Sequence, residues 1–99
     1  MHYRHIHDLA WDFVDAARAR LDSQLDAAGM NALFLTLGIG DYEAAIDTVL
    51  VACADEPVAV SPELANRLRR WMTIFGEPEE AGRRLKILRS ILGRGEGTI

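Results

Sequence analysis

The chain has 99 residues and a formal net charge of −4, with 49% hydrophobic and 26% charged residues. This length supports one core and one domain, and the composition excludes a disordered chain, a collagen and a coiled coil. No apolar run approaches the roughly 20 residues of a membrane span, and the N-terminus lacks a signal-peptide pattern. The single cysteine, Cys53, excludes a disulfide framework and a multi-cysteine zinc site. We therefore expect a reduced, cytoplasmic domain.

The charges are unequally distributed along the chain. Residues 1–59 carry three cations and ten acids, whereas residues 60–99 carry eight cations and five acids. This polarity indicates either a charged partner surface or a domain whose two halves neutralise each other.

Helical periodicity dominates the first part of the chain. An apolar face that recurs every three or four residues predicts a first helix over residues 3–28, ended by Gly29. Residues 30–37 form a short apolar piece, either a brief second helix or a buried turn, which the glycines of residues 38–40 interrupt.

Capping residues predict three further helices. Asp41 is suited to cap a helix that runs to about residue 54 and is closed by Pro57, and Ser61 followed by proline begins the next helix, which Gly76 ends. The last helix begins near Pro78 and ends at residue 93; its predicted buried stripe is Ala81, Leu85, Leu88 and Leu92. We predict an all-α bundle of four main helices plus one short helix over residues 1–93, with a flexible tail over 94–99.

The sequence contains no recognisable catalytic motif. It has neither a glycine-rich phosphate loop nor a His-Glu-x-x-His zinc helix. His2 and His5 are spaced to share a metal with Asp8, but a solvated terminus is the favoured interpretation. Cys53 lies on an apolar stripe and is predicted to be a core thiol rather than a nucleophile. We expect no enzymatic activity, no cofactor and no metal.

Five aspartates of the predicted first helix fall on one side of it, in a sector about 80° wide and roughly 27 Å long. They are Asp8, Asp12, Asp15, Asp22 and Asp26. Such a single-sign row suits a basic groove on a partner, although a solvated outer face is the alternative. Trp11 lies at the edge of this row, where it is either a binding anchor or a half-buried core residue. We predict that these six residues bind a partner.

The basic half of the chain offers a second hypothesis. The last two predicted helices resemble a helix-turn-helix, whose final helix carries Arg83, Arg84, Lys86 and Arg89. Nucleic-acid binding is disfavoured because the chain is acidic and Glu77, Glu79 and Glu80 lie at the end that would face DNA. The favoured alternatives are that this helix packs against the acidic half of the chain or is simply solvated. A third hypothesis is an oligomerising subunit with an exposed apolar stripe.

One stretch of the chain resembles a known family. Residues 37–50, Leu-Gly-Ile-Gly-Asp-Tyr-Glu-Ala-Ala-Ile-Asp-Thr-Val-Leu, are followed by Val-Ser-Pro-Glu-Leu at 60–64. Together they resemble the small helical immunity proteins of bacterial polymorphic toxin systems, especially the MafI-like group, over residues 35–75. Asp41 stands where that group's motif has glutamate, and residues 40–43 correspond to a turn, a cap and a first-turn acid. The resemblance implies a protein that binds and neutralises a cognate toxin, often a nuclease.

Overall fold

The computed structural model describes residues 3–54 and 58–97, and side chains within 6–54 and 58–92. It contains six helices: α1 (Tyr3–Ala16), α2 (Arg18–Gln24), α3 (Ala27–Gly38), α4 (Tyr42–Cys53), α5 (Pro62–Ile74) and α6 (Pro78–Gly97). No strand occurs among these residues, so the all-α prediction is confirmed. The predicted count of four main helices plus one short helix is wrong.

The predicted first helix is bent at Ala17. This residue has φ −95° and ψ 6°, which ends α1 and lets α2 begin one residue later. The amide of Ala17 still donates to the Phe13 carbonyl, and the amide of Leu21 donates to the Ala17 carbonyl. Because these helical hydrogen bonds continue across the bend, α1 and α2 follow one another with their side-chain faces nearly in register.

The first helical region ends earlier than predicted, at Leu25. That residue is extended, with φ −110° and ψ 137°, and Asp26 then caps α3. The Asp26 carboxylate accepts a hydrogen bond of 2.8 Å from the amide of Gly29, which satisfies one of the unpaired amides of the first turn. Gly29, which the sequence predicted as a helix stop, therefore lies inside α3.

The helix starts of the second half agree with the sequence. Asp41 accepts a hydrogen bond from the amide of Ala44 at 3.3 Å, and Ser61 accepts one from Leu64 at 3.1 Å. Gly76 follows α5 with φ +91°, a left-handed conformation that favours glycine. The predicted closing residue of α4, Pro57, lies outside the described residues.

The last helix differs from its prediction in length and in its buried side. It continues through Gly97, beyond the predicted end at residue 93. Its fully buried side chains are Arg84, Leu88 and Ile91, whereas the other members of the predicted stripe are only half-buried. The buried side is thus centred on a charged residue, which hydrophobic periodicity alone would not place there.

Helix α4 is the centre of the domain, because it packs against α1, α2, α3 and α6. Its buried side chains are Ala45, Ile46, Val49, Leu50 and Cys53. Burial raises the pKa of the Cys53 thiol, and the positive charge of Arg20 lowers it to a smaller extent. The prediction of a core thiol is confirmed. Within the described part of the chain, every helix is too short or too polar to cross a bilayer.

Candidate partner-binding surface

One face of α1 and α2 carries alternating acidic, aromatic and basic side chains. Asp8, Trp11, Asp15, Arg18 and Asp22 recur at intervals of three and four residues, and the continuous hydrogen bonding at the bend keeps them along one side. The Arg18 Nε atom lies 3.4 Å from Asp22 Oδ1. We call these five residues the α1–α2 face.

An aromatic cluster lies against this face. The rings of Trp11 and Phe34 stack with their centroids 6.0 Å apart and an interplanar angle of 28°. The Arg18 guanidinium lies 5.3 Å from the centroid of the Phe34 ring. Phe34 therefore contacts both Trp11 and Arg18, which lie about two helical turns apart on the α1–α2 face. His7 contacts both Trp11 and Tyr42, at centroid distances of 6.4 and 5.3 Å. The aromatic cluster consists of Trp11, Phe34, His7 and Tyr42. Trp11 is half-buried within it.

The five aspartates do not form the single row that the sequence predicted. Asp8, Asp12 and Asp15 lie on α1 and Asp22 lies on α2, whereas Asp26 belongs to no part of that helix because it caps α3. The prediction of one straight ridge is therefore wrong, since it assumed an unbroken helix through residue 28. All five side chains are nevertheless exposed.

The aspartates also differ in their local interactions. Asp12 Oδ2 lies 2.8 Å from Arg67 Nη1, which connects α1 to α5. Asp8 Oδ1 lies 3.2 Å from the Nδ1 atom of His7. Asp15 is exposed, and no described side chain forms an ion pair with it. Among the predicted contact residues, Asp15 is thus the one whose charge is most available to a partner.

A buried arginine, which the sequence did not predict, connects α6 to α4. Arg84 is 2% exposed, and its Nε and Nη2 atoms donate to the two carboxylate oxygens of Asp47 at 2.8 and 2.9 Å. Nη2 also donates to Glu43 at 2.7 Å, and the guanidinium lies 5.1 Å from the centroid of Trp71. The hydrogen bonds that Arg84 donates to Asp47 raise the pKa of the guanidinium above its ordinary value, although burial acts in the opposite direction.

This buried cluster bears on the nucleic-acid hypothesis. Arg84 is one of the four cations that the nucleic-acid hypothesis expects to contact phosphates. Its hydrogen bonds to α4 hold it in the interior, so it cannot contact a nucleic acid. Glu43 and Asp47 lie four residues apart, so both carboxylates project from one side of α4. This spacing of two acids on one helix is a sequence signal for a cation bound between them.

A groove of about 530 Å³ lies between α1 and α5. Its lining is mainly apolar and includes Leu9, Trp71 and Phe75, with Asp8 and Arg70 among its polar residues. Among the described residues, no three His, Cys, Asp or Glu side chains are close enough together to hold a metal ion. The histidine pair at positions 2 and 5 lies outside the side chains that the structure describes.

Comparisons with protein-family models, with curated proteins and with solved structures find no match to this chain. The resemblance of residues 35–75 to MafI-like immunity proteins therefore stays a prediction. What the molecule itself offers is an exposed acidic face with an aromatic cluster beside it.

Proposed function

We propose that this domain is an immunity protein, which binds a cognate bacterial toxin domain and neutralises it. The observation that supports this most strongly is the position of Trp11. Its half-buried ring is held by Phe34 and flanked one turn away on either side by the exposed carboxylates of Asp8 and Asp15. Binding energy at protein interfaces concentrates in such pre-positioned aromatic side chains surrounded by polar groups.

The charge of this face selects the kind of partner. Asp8, Asp15 and Asp22 are exposed on the α1–α2 face, and Arg18 is the cation that offsets part of their charge. A surface of one predominant sign attracts a basic partner, raises its association rate and disfavours acidic partners. Nuclease domains present basic surfaces to phosphates, so a nuclease toxin is the partner class that fits best.

The six predicted contact residues contribute unequally in this proposal. Trp11 is the anchor, and Asp8, Asp15 and Asp22 supply the charge around it. Asp12 and Asp26 remain part of the acidic field, but their carboxylates also connect α1 to α5 and cap α3. Neutralisation requires no chemistry from this chain, because a bound domain that covers a toxin's substrate groove excludes the substrate.

The experiment that tests this function is protection of growth. A candidate toxin domain is captured from a lysate of the source organism with the wild-type domain as bait, and is then expressed in a sensitive bacterium, alone and together with the wild-type domain. We expect co-expression to restore growth, and Asp15→Lys with Asp22→Lys to abolish that protection without lowering the melting temperature by more than a few degrees.

The control is a double reversal elsewhere that changes the net charge equally. Glu63→Lys with Glu79→Lys alters exposed acids in the first turns of α5 and α6, which do not belong to the α1–α2 face. This control should protect as well as wild type. Equal loss of protection in both double variants would show that only net charge matters, and absence of protection by wild type would overturn the proposed function.

A further inference from the structure

Helix α3 is unusual among the surface elements because it carries no charge. Residues 27–40 form a run of 14 uncharged residues bounded by Asp26 and Asp41. An apolar helix in a globular protein is normally buried on all sides. Here only Leu33 and Leu37 are fully buried, so a large part of an apolar helix faces outward.

The outward side of α3 is a continuous apolar stripe. It consists of Ala28, Ala32, Leu35 and Ile39, all exposed and spaced by four, three and four residues. Leu35 is 69% exposed and Ile39 is 80% exposed. At 100° per residue the four positions fall within about 60°, on the side opposite the buried leucines. We call these four residues the apolar face of α3.

The apolar face of α3 adjoins the aromatic cluster. Phe34, which stacks on Trp11, precedes Leu35 in the helix, so their side chains leave α3 about 100° apart. The half-buried ring of Phe34 therefore lies between Leu35 and the α1–α2 face. This places an apolar surface directly beside the proposed toxin-binding residues.

We propose that the apolar face of α3 is the docking surface for an apolar segment of the toxin domain that is bordered by basic residues. This inference rests on the proposed function and adds the chemistry of the partner. Charge complementarity selects this occupant, because Asp26 and Asp41 lie at the two ends of the face and Asp15 lies across Phe34 from it. Arg18, the cation that contacts Phe34, is itself paired with Asp22.

The charges of Asp26 and Asp41 disfavour the binding of a second copy of this chain to the apolar face of α3. Two copies that paired through their α3 helices would bring the aspartates at the ends of one helix toward those of the other. Like charges placed opposite each other at an interface lower its affinity. A partner with lysines or arginines around an apolar centre instead gains attraction at the rim and apolar burial in the middle.

The test is a titration with the toxin domain captured for the protection experiment, made catalytically inactive so that it can be purified. Leu35→Lys and Ile39→Lys each place a charge in the centre of the apolar face of α3. Each should raise the dissociation constant roughly tenfold or more. Gly82→Lys is the control for the added charge, because position 82 lies on α6, is exposed and has open space around it, and belongs to neither the α1–α2 face nor the apolar face of α3. Its dissociation constant should stay within about twofold of wild type.

Salt separates the two parts of the interface. We expect the loss caused by Asp15→Lys with Asp22→Lys to shrink between 0.05 and 0.5 M NaCl, because salt screens exposed charges. The loss caused by Leu35→Lys should shrink less, since salt screens only the added charge and not the lost apolar burial. Hydrogen exchange on the wild-type complex should show slowed amides within residues 33–40.

The outcomes distinguish this inference from the proposed function. If the wild-type domain does not bind, both are overturned. If it binds and Leu35→Lys and Ile39→Lys bind as well as Gly82→Lys, only the assignment of the apolar face of α3 is overturned. A wild-type dimer in sedimentation that Leu35→Lys converts to a monomer would instead assign this face to a second copy.

Discussion

Arg84 and Asp47 form a two-point ion pair between α6 and α4, in which Nε and Nη2 reach Oδ1 and Oδ2 at 2.8 and 2.9 Å. The two ends of the pair differ in environment, because the arginine side chain is 2% exposed and the aspartate side chain 36% exposed. A guanidinium matches a carboxylate in such paired geometry, whereas a lysine ammonium does not. The pair therefore fixes how α6 packs on the central helix.

This asymmetry predicts which end of the pair is more sensitive to substitution. Asp47→Ala leaves a buried positive charge with Glu43 as its remaining carboxylate, and we expect it to lower the free energy of unfolding by about 2–3 kcal/mol. Arg84→Met removes the buried charge and keeps an apolar chain against Trp71, so it should cost about 1 kcal/mol or less. Urea denaturation measures both. A larger loss for Arg84→Met than for Asp47→Ala would contradict this assignment.

Gly76 is predicted to be intolerant of any side chain. Its φ of +91° is strained for other residues, and a Cβ atom there would lie 3.0 Å from Arg84 Nη1. We expect Gly76→Ala to lower the free energy of unfolding by roughly 1–3 kcal/mol. Gly82→Ala is the control: the position is helical and open, and alanine there should stabilise by about 0.5–1 kcal/mol. The two melting temperatures should move in opposite directions, and a shift of the same sign would count against the strain at Gly76.

Cys53 makes stability depend on pH above neutrality. Burial raises the pKa of its thiol in the folded domain, whereas an unfolded thiol titrates near 8.5. The buried neutral thiol of Cys53 therefore makes its full contribution to the free energy of unfolding below about pH 8.5. This contribution is lost as the pH rises from the unfolded pKa through the folded pKa, because between these two values only the unfolded chain ionises. Between pH 7.5 and 10, wild type should lose more free energy of unfolding than Cys53→Ala. Parallel pH profiles for the two proteins would contradict this prediction.

The ion pair between Asp12 and Arg67 should contribute little to stability. Its atoms lie 2.8 Å apart, but the two side chains are 51% and 45% exposed, so water and salt screen their attraction. We expect Asp12→Ala and Arg67→Ala each to change the free energy of unfolding by less than about 1 kcal/mol. A double-mutant cycle in urea measures the coupling, and a value above about 2 kcal/mol would show that the pair is structural.

The starts of the later helices could be predicted because their signals are local. Asp41 and Ser61 cap helices through their own side chains, and a proline after Ser61 and a glycine at position 76 reinforce the boundaries. The break near Leu25 comes before Gly29, the residue that the sequence indicates as the helix stop. The local signal for the break is Asp26, since a capping aspartate allows a glycine in the turn that follows.

The burial of Arg84 had no comparable local signal. Its two carboxylate partners lie 37 and 41 residues away in the chain, so only the packing of α6 on α4 brings them together. The relation of α3 to the α1–α2 face is likewise tertiary, because it depends on the stacking of Phe34 on Trp11. The acidic residues of the α1–α2 face and the position of Trp11 beside them could be predicted from the sequence. The stacking of Phe34 on Trp11 could not.

The most direct test of the proposed toxin-binding face is a calorimetric titration of the captured toxin domain with three forms of this protein at low salt. We predict that wild type and Glu63→Lys with Glu79→Lys bind with similar dissociation constants. We predict that Asp15→Lys with Asp22→Lys weakens binding at least 100-fold, or about 2.7 kcal/mol. Equal affinity of all three proteins for the toxin domain would contradict the assignment of the α1–α2 face as its binding surface.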